Sequence, residues 1–438
     1  MKLTKISPQQ NFFGNFYFLI ILFSCLASPV FCNENSTPEN NSSDSTLEKD
    51  DDLRLYQDIS LEQSNLAHRA LRQAYSANIK HAHKSLNDMR ELETTKNLPP
   101  LSYLFSIAVE VMRYQNGDFE DEDEEKALRK TIEDLAQQGQ GLCKVGIEKN
   151  PNHPTYLLIL GGIRGFLATL KIHSKPSQAL NDGLQALKFL EKSREQDSRT
   201  RDSYMGTGIF NCTAANAPLF VRGTLKIIGR SVSMKVGLDA LRISAYQGQY
   251  TTVASQLFLI QFLSPYEEEL KREKRTIFKS LENNFSKNGY YTFLKEDEAL
   301  CFYPDSFYTI KNKHAMVSKM NAFGTSDYSS RRYVNLVRYQ YSLLERNPEK
   351  KLMPDTTFEL HDYEYYPVFI EGLRQKHQML DTLGEGETPS ATELKNLKVW
   401  RDSCDHIISE SQMNPTRKRY YQWHVHDAFE WNLIITKS

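Results

Sequence analysis

The sequence predicts an all-α protein, a solenoid of antiparallel helical hairpins behind an amino-terminal export signal. Apolar residues recur at steps of three and four along most of the chain, and Gly, Pro, Asn and Ser cut that pattern into pieces of helix length. Alternating strand patterns are scarce. The 438 residues exceed what one compact core organises, and helical pairs in tandem solve that problem by burying each apolar face against the next pair.

Positive charge at Lys2 and Lys5 precedes an apolar run at residues 16–23, the layout of a secretory signal over residues 1–32. Two exits are open: cleavage after Cys32, or lipid attachment at Cys25 within Leu22-Phe23-Ser24-Cys25, which resembles a bacterial lipobox. Ser24, Ser28 and Pro29 interrupt the roughly 20 apolar residues that a membrane span needs. Membrane attachment is therefore expected only through such a lipid, and the location is periplasmic or at the cell envelope. Residues 33–59 open with a polar tract that has no side chains able to build a core, and they read as a flexible linker. Its sequons at Asn35 and Asn41 would carry glycans in a eukaryotic secretory pathway.

The 54 basic and 55 acidic residues leave no broad positive field, which excludes nucleic acid as a partner. Beyond the signal, Cys143, Cys212, Cys301 and Cys404 lie far apart without CxxC spacing, so neither a zinc ribbon nor a redox pair is supported. Buried free thiols are expected, with one disulfide as the alternative in an oxidising compartment.

Residues 60–149 form an amino-terminal helical region. Leu66, Ala67, Ala70, Leu71, Ala74, Ala77, Ala82, Leu86 and Met89 make one helical stripe over residues 60–93. Pro99 and Pro100 end it and open a second helix over residues 101–113, completing a hairpin. The acidic residues 118–125 lack the alternating donors and turn glycine of an EF-hand, so they read as a solvated loop leading into a helix over 126–149. Region 150–305 holds helices over 155–173, 176–196, 201–212, 219–229, 235–247, 251–265, 268–285 and 290–303. Region 306–438 is mainly helical, over 328–346, 366–380, 392–411 and 417–430, with 353–363 as a candidate extended stretch.

Within region 150–305, Leu187-Lys188-Phe189-Leu190-Glu191-Lys192-Ser193-Arg194-Glu195-Gln196-Asp197 followed by Arg201-Asp202-Ser203-Tyr204-Met205-Gly206-Thr207-Gly208 resembles the junction between two tetratricopeptide repeats. Gly146 to Tyr156 forms a second such junction, and Gly237 to Ala254 a helix, turn and helix in which Gly248 and Tyr250 sit where these repeats turn and pack. The stretch is similar to divergent tetratricopeptide-like proteins exported by several bacterial groups, in which a glycine-rich helix follows an Asp-x-Tyr start. Ser198 after Asp197 and Asn288 near the third junction stand where proline is common, so the repeats are degenerate. The resemblance implies helix-packing roles for Gly162, Gly165, Gly206, Gly208 and Ala254, where small residues let helices approach while Tyr204 and other large neighbours fill the adjoining space.

No reaction is specified. His81 and His83 lie in a helical stripe and point to different sides. His424 and His426, flanked by Trp423, Asp427 and Glu430, are the remaining metal candidates. Gly161-Gly162-Ile163-Arg164-Gly165 and Gly384-Glu385-Gly386 lack the context of a phosphate loop, and no GxSxG elbow is present. The tail aromatics Tyr363, Tyr365, Tyr366, Phe369, Tyr420, Tyr421, Trp423, Phe429 and Trp431 form either a binding groove or a capping core. The expectation is an exported, non-enzymatic scaffold or adaptor that needs no cofactor and binds a protein or peptide in a helical groove. A metal-dependent envelope hydrolase using the carboxy-terminal histidines, and a purely structural envelope component, are the alternatives.

Overall fold

A computed structural model describes residues 56, 58–115, 122–171, 175–216, 222–223, 225–226, 230, 232–263, 268–285, 288–302, 364–382 and 389–411, with 418, 421–422, 425–426 and 428–429 near the carboxy terminus. Every regular element among them is an α-helix. No helix among them is long and apolar enough to cross a membrane. The expected signal with Cys25, the helix over 328–346 and the extended stretch over 353–363 lie outside the described residues. The chain divides into two compact units, one taking residues 22–115 and 123–262, the other including everything from residue 263 onward.

The first unit contains α1 (Leu61–Tyr75), α2 (Ile79–Lys96), α3 (Leu101–Gln115), α4 (Glu122–Lys149), α5 (Pro154–Lys171), α6 (Pro176–Gln196), α7 (Ser203–Asn216), α8 (Met234–Gln247) and α9 (Thr252–Phe262). The stripe over residues 60–93 is thus two helices and not one. After Tyr75 the Ala77 N–H bonds the Ala74 carbonyl and the Asn78 N–H bonds the Gln73 carbonyl, the Schellman closure. That closure needs a left-handed residue, and Ala77 supplies it at φ 58° in place of the usual glycine. The apolar spacing continues in phase across the break, which is why the sequence pattern hides it. Asn97, at φ 52°, ends α2 in the same way.

Helices pack as neighbouring pairs: α1 with α2, α5 with α6, α7 with α8, and α8 with α9. The odd-numbered helices also touch one another in succession, α1 to α3, α3 to α5, α5 to α7 and α7 to α9. Their sequences show why they form the inner row. Residues Leu157 to Gly161 of α5 are all buried, as are Leu257 to Ile260 of α9, so both helices are covered on several sides. By contrast α4 buries a single stripe, Leu128, Ile132, Ala136, Gly139 and Cys143, and belongs to the second row.

Glycine sets the closest crossing. A Cβ built on Gly208 would stand 2.9 Å from the Gly237 carbonyl oxygen and 2.9 Å from the Leu241 nitrogen. Backbone meets backbone there, so α7 and α8 approach to a distance that no larger residue permits. At Gly162 and Gly206 the obstacles are instead the Leu104 and Leu190 side-chain tips, at 2.7 and 2.5 Å. Gly165 is half-buried and Ala254 fully buried.

The second unit contains α10 (Glu268–Asn284), α11 (Gly289–Phe302), α12 (Tyr366–Thr382) and α13 (Ala391–Glu410). Asn288 accepts from the Tyr290 N–H at 3.0 Å and so starts α11 without proline. Ser390 and Glu393 form a reciprocal capping box at the start of α13. Tyr365, Tyr366, Phe369, Tyr421 and Phe429 are all buried, with ring centroids 4.7 to 5.9 Å apart between neighbours. This part of the aromatic tail is core. Tyr363, Tyr420, Trp423 and Trp431 lie outside the described residues.

Candidate functional site

The first unit carries a buried polar junction that no local pattern announces. Asp202 sits one residue before α7 and is 5 % exposed. Its Oδ1 accepts from the Tyr250 N–H at 2.8 Å, the Thr251 N–H at 2.8 Å and the Thr251 hydroxyl at 2.6 Å. Its Oδ2 accepts from the Tyr56 hydroxyl at 2.6 Å and the Gln249 N–H at 3.3 Å. The carboxylate therefore holds, from another hairpin, the residues that lead into α9, where an unpaired N–H group and the helix dipole both favour a negative charge. A line of hydroxyls feeds the same point: Ser255 donates to Ser244 at 2.9 Å, and Ser244 lies 2.5 Å from Thr251. Gly248 makes room, since a Cβ there would stand 2.8 Å from Asp202 Oδ1.

Tyr250 carries the junction to the far end of the helical row. Its hydroxyl donates to Ser64 of α1 at 3.1 Å, and the Gln249 amide donates to the same oxygen at 3.0 Å. Its ring packs against Tyr56 (5.8 Å, stacked), His68 of α1 (5.1 Å) and Phe105 of α3 (5.3 Å). The turn before α9 thus touches α1 and α3, so the row of odd-numbered helices curls until its ends meet.

Electrostatics follow from this burial. Desolvation, reinforced by the Asp202 charge, holds the Tyr56 hydroxyl well above the usual tyrosine range, and Tyr250 is raised for the same first reason. Both stay hydrogen-bond donors. Burial lowers the His68 imidazole against the pull of Asp202, which keeps it neutral, and its Nδ1 has no hydrogen-bond partner. Gln249 Oε1 and His153 Nδ1 are likewise buried without one. Each such atom costs about 1–3 kcal/mol.

A second buried carboxylate joins α1, α2 and α3. Glu93 accepts from the Gln63 amide at 2.8 Å, from the Ser102 N–H at 2.7 Å and from the Ser102 hydroxyl. Burial pushes it up to about 7 despite these donors and the nearby Arg90 charge.

The other sequence candidates are scattered. His81 faces Asn78, with Nδ1 2.6 Å from its Oδ1, and His83 lies 2.7 Å from Glu110, so the two share no ligand position. His426 lies 2.6 Å from Asp405, and His424 is outside the described residues. Among the described residues no three His, Cys, Asp or Glu side chains gather as a metal site. Cys143, Cys212, Cys301 and Cys404 are all buried, and Cys143, Cys212 and Cys404 are free thiols. Burial pushes the first, second and fourth of these thiols up to about 12. Tyr204 is covered by the Arg194 guanidinium at 4.6 Å, a packing contact at the α6–α7 junction.

No protein-family model, curated protein or solved structure matches the chain. Sequence reasoning picked out Tyr250, Gly248 and the Asp202-Ser203-Tyr204 start, but it missed Tyr56, Ser64 and His68. A tyrosine next to a polar tract and a serine in a first helical turn carry no signal of a partner 146 or 186 positions away.

Proposed function

We propose that the protein is an exported, non-enzymatic scaffold or adaptor that binds a protein or peptide partner through its helical pairs. The observation that carries this reading is the way the first unit already treats polypeptide. Tyr56 and Asp58, both outside any helix, reach helix starts from different hairpins. Helical frameworks hold peptide segments in this manner, with one buried anchor and a polar rim. Export rests on Lys2, Lys5 and the apolar run after them, and Cys25 offers a lipid anchor. The tetratricopeptide-like character rests on the glycine-rich α7 after Asp202-Ser203-Tyr204, with α8 crossing it at Gly208.

Crosslinking in intact native cells, with mass-spectrometric identification of the captured chains, tests the reading. A protein partner that recurs between preparations and attaches to the first unit is the expected result. Crosslinks confined to this chain would contradict it. So would loss of a cellular phenotype when His424 and His426 are both changed to Gln in a protein that still folds and is exported at normal abundance.

A further inference from the structure

Tyr56 is an outlier in the junction it completes. It comes from a non-helical stretch, yet it is 4 % exposed, stacked on Tyr250 and bonded to Asp202. Two residues on, Asp58 Oδ2 lies 3.5 Å from Nε2 of His153, immediately before α5. One short stretch thus reaches the start of α5, the start of α7 and the turn before α9. A single aromatic anchor with its hydroxyl on a buried carboxylate, plus one polar contact at the rim, is how a bound peptide is gripped. The grip is also incomplete, because His68 Nδ1, Gln249 Oε1 and His153 Nδ1 around it are buried without hydrogen-bond partners.

We propose that Asp202 and Tyr250 form a docking site for a peptide that inserts a tyrosine, and that the chain's own Tyr56 segment fills this site as a releasable strap. The chemistry selects the side chain. A flat ring is needed against Tyr250, and a hydroxyl donor is needed to reach the Asp202 carboxyl oxygen. Phosphotyrosine is rejected, since its charge would face Asp202. The unpaired polar atoms favour displacement, because a segment that supplies their partners gains bonds the strap does not make. The inference deepens the scaffold reading and rests on it only for the existence of an outside partner; the pocket can be tested without one.

The test uses the full-length chain carrying Tyr56→Ala, with N-acetyl-tyrosinamide and a synthetic peptide of residues 52–60 as probes. Both should raise the thermal midpoint of the variant and leave the wild type, whose pocket is filled, unchanged. The phenylalanine counterparts, lacking the hydroxyl, should bind at least several-fold more weakly. Tyr56→Phe keeps the ring and protects against misfolding; it should fold and admit the tyrosine peptide less readily than the alanine variant. The proposal is overturned if the folded alanine variant takes up neither probe, or if wild type and variant bind them equally. It is also overturned if the alanine variant fails to fold with or without the probes while a folded Tyr56→Phe chain admits no peptide. A crosslinking experiment that found no partner would refute the scaffold reading and leave these titrations as they stand.

Discussion

Asp202 and Glu93 are both buried carboxylates, and each caps the start of a helix other than its own. Glu93 takes Ser102, nine positions away, and so ties a turn within neighbouring helices. Asp202 takes Tyr250 and Thr251, 48 and 49 positions away, and Tyr56 at 146. Asp202 meets five donors, whereas Glu93 meets three and is pushed up to about 7. The difference teaches that one device serves two scales. The local carboxylate fixes a loop and sits in tension with its own burial, while the long-range one closes the helical row.

If that contrast holds, removing the long-range carboxylate has the largest effect. Asp202→Ala takes away the acceptor that three backbone N–H groups and two hydroxyls share, and should destabilise the first unit by about 3 kcal/mol or more in denaturant unfolding. A loss under about 1 kcal/mol would break the comparison.

Glu93 gives a pH effect of definite sign. Its folded value of about 7 lies above the ordinary 4.5, so the folded state holds a proton that the unfolded chain releases between those values. Stability should be greatest below about pH 4.5, fall as pH rises through about 7, and level off above it, by about 3 kcal/mol at most. Glu110 works in the opposite direction: burial alone would raise it, but His83 and Arg113 hold it below the usual range. The slope assigned to Glu93 is therefore the difference between wild type and Glu93→Gln, in which it should vanish.

Glycine substitutions sharpen the contrast from outside either carboxylate. Gly208→Ala forces the α7 and α8 backbones apart and should cost about 1–3 kcal/mol. At Gly206 only the Leu190 tip must move, so Gly206→Ala should cost less, under about 1 kcal/mol. Equal losses would show that the α7–α8 crossing is not set by backbone contact. The smallest effect is chemical: Cys143, Cys212 and Cys404, with thiols pushed up to about 12, should resist iodoacetamide in the native protein at pH 8 and react on unfolding, as read by intact mass.

Much of the helical architecture was legible because period and punctuation are local. Pro99-Pro100, Pro154, Pro176 and Gly248 mark ends or starts that the structure keeps. The break at Ala77 was not, because alanine stands where glycine would have signalled the turn. The small residues of α7 pointed to close packing before any contact was known. Closure of the row was invisible, because it depends on side chains from positions 56, 64, 202 and 250 meeting in space, and no repeat pattern encodes that meeting. Tyr56 shows this most clearly: composition places it in the flexible stretch 33–59, yet it is buried against Tyr250.

One crosslink tests whether the turn before α9 meets α1. Ser64 and Gln249, whose side chains touch at 3.0 Å, can be replaced together by cysteine and treated with a short bismaleimide. The account predicts rapid intramolecular joining of the two positions in the folded protein, absent from either single variant and lost in denaturant. Two freely labelled thiols in a folded chain, with no joined product, would mean an open row and would contradict it.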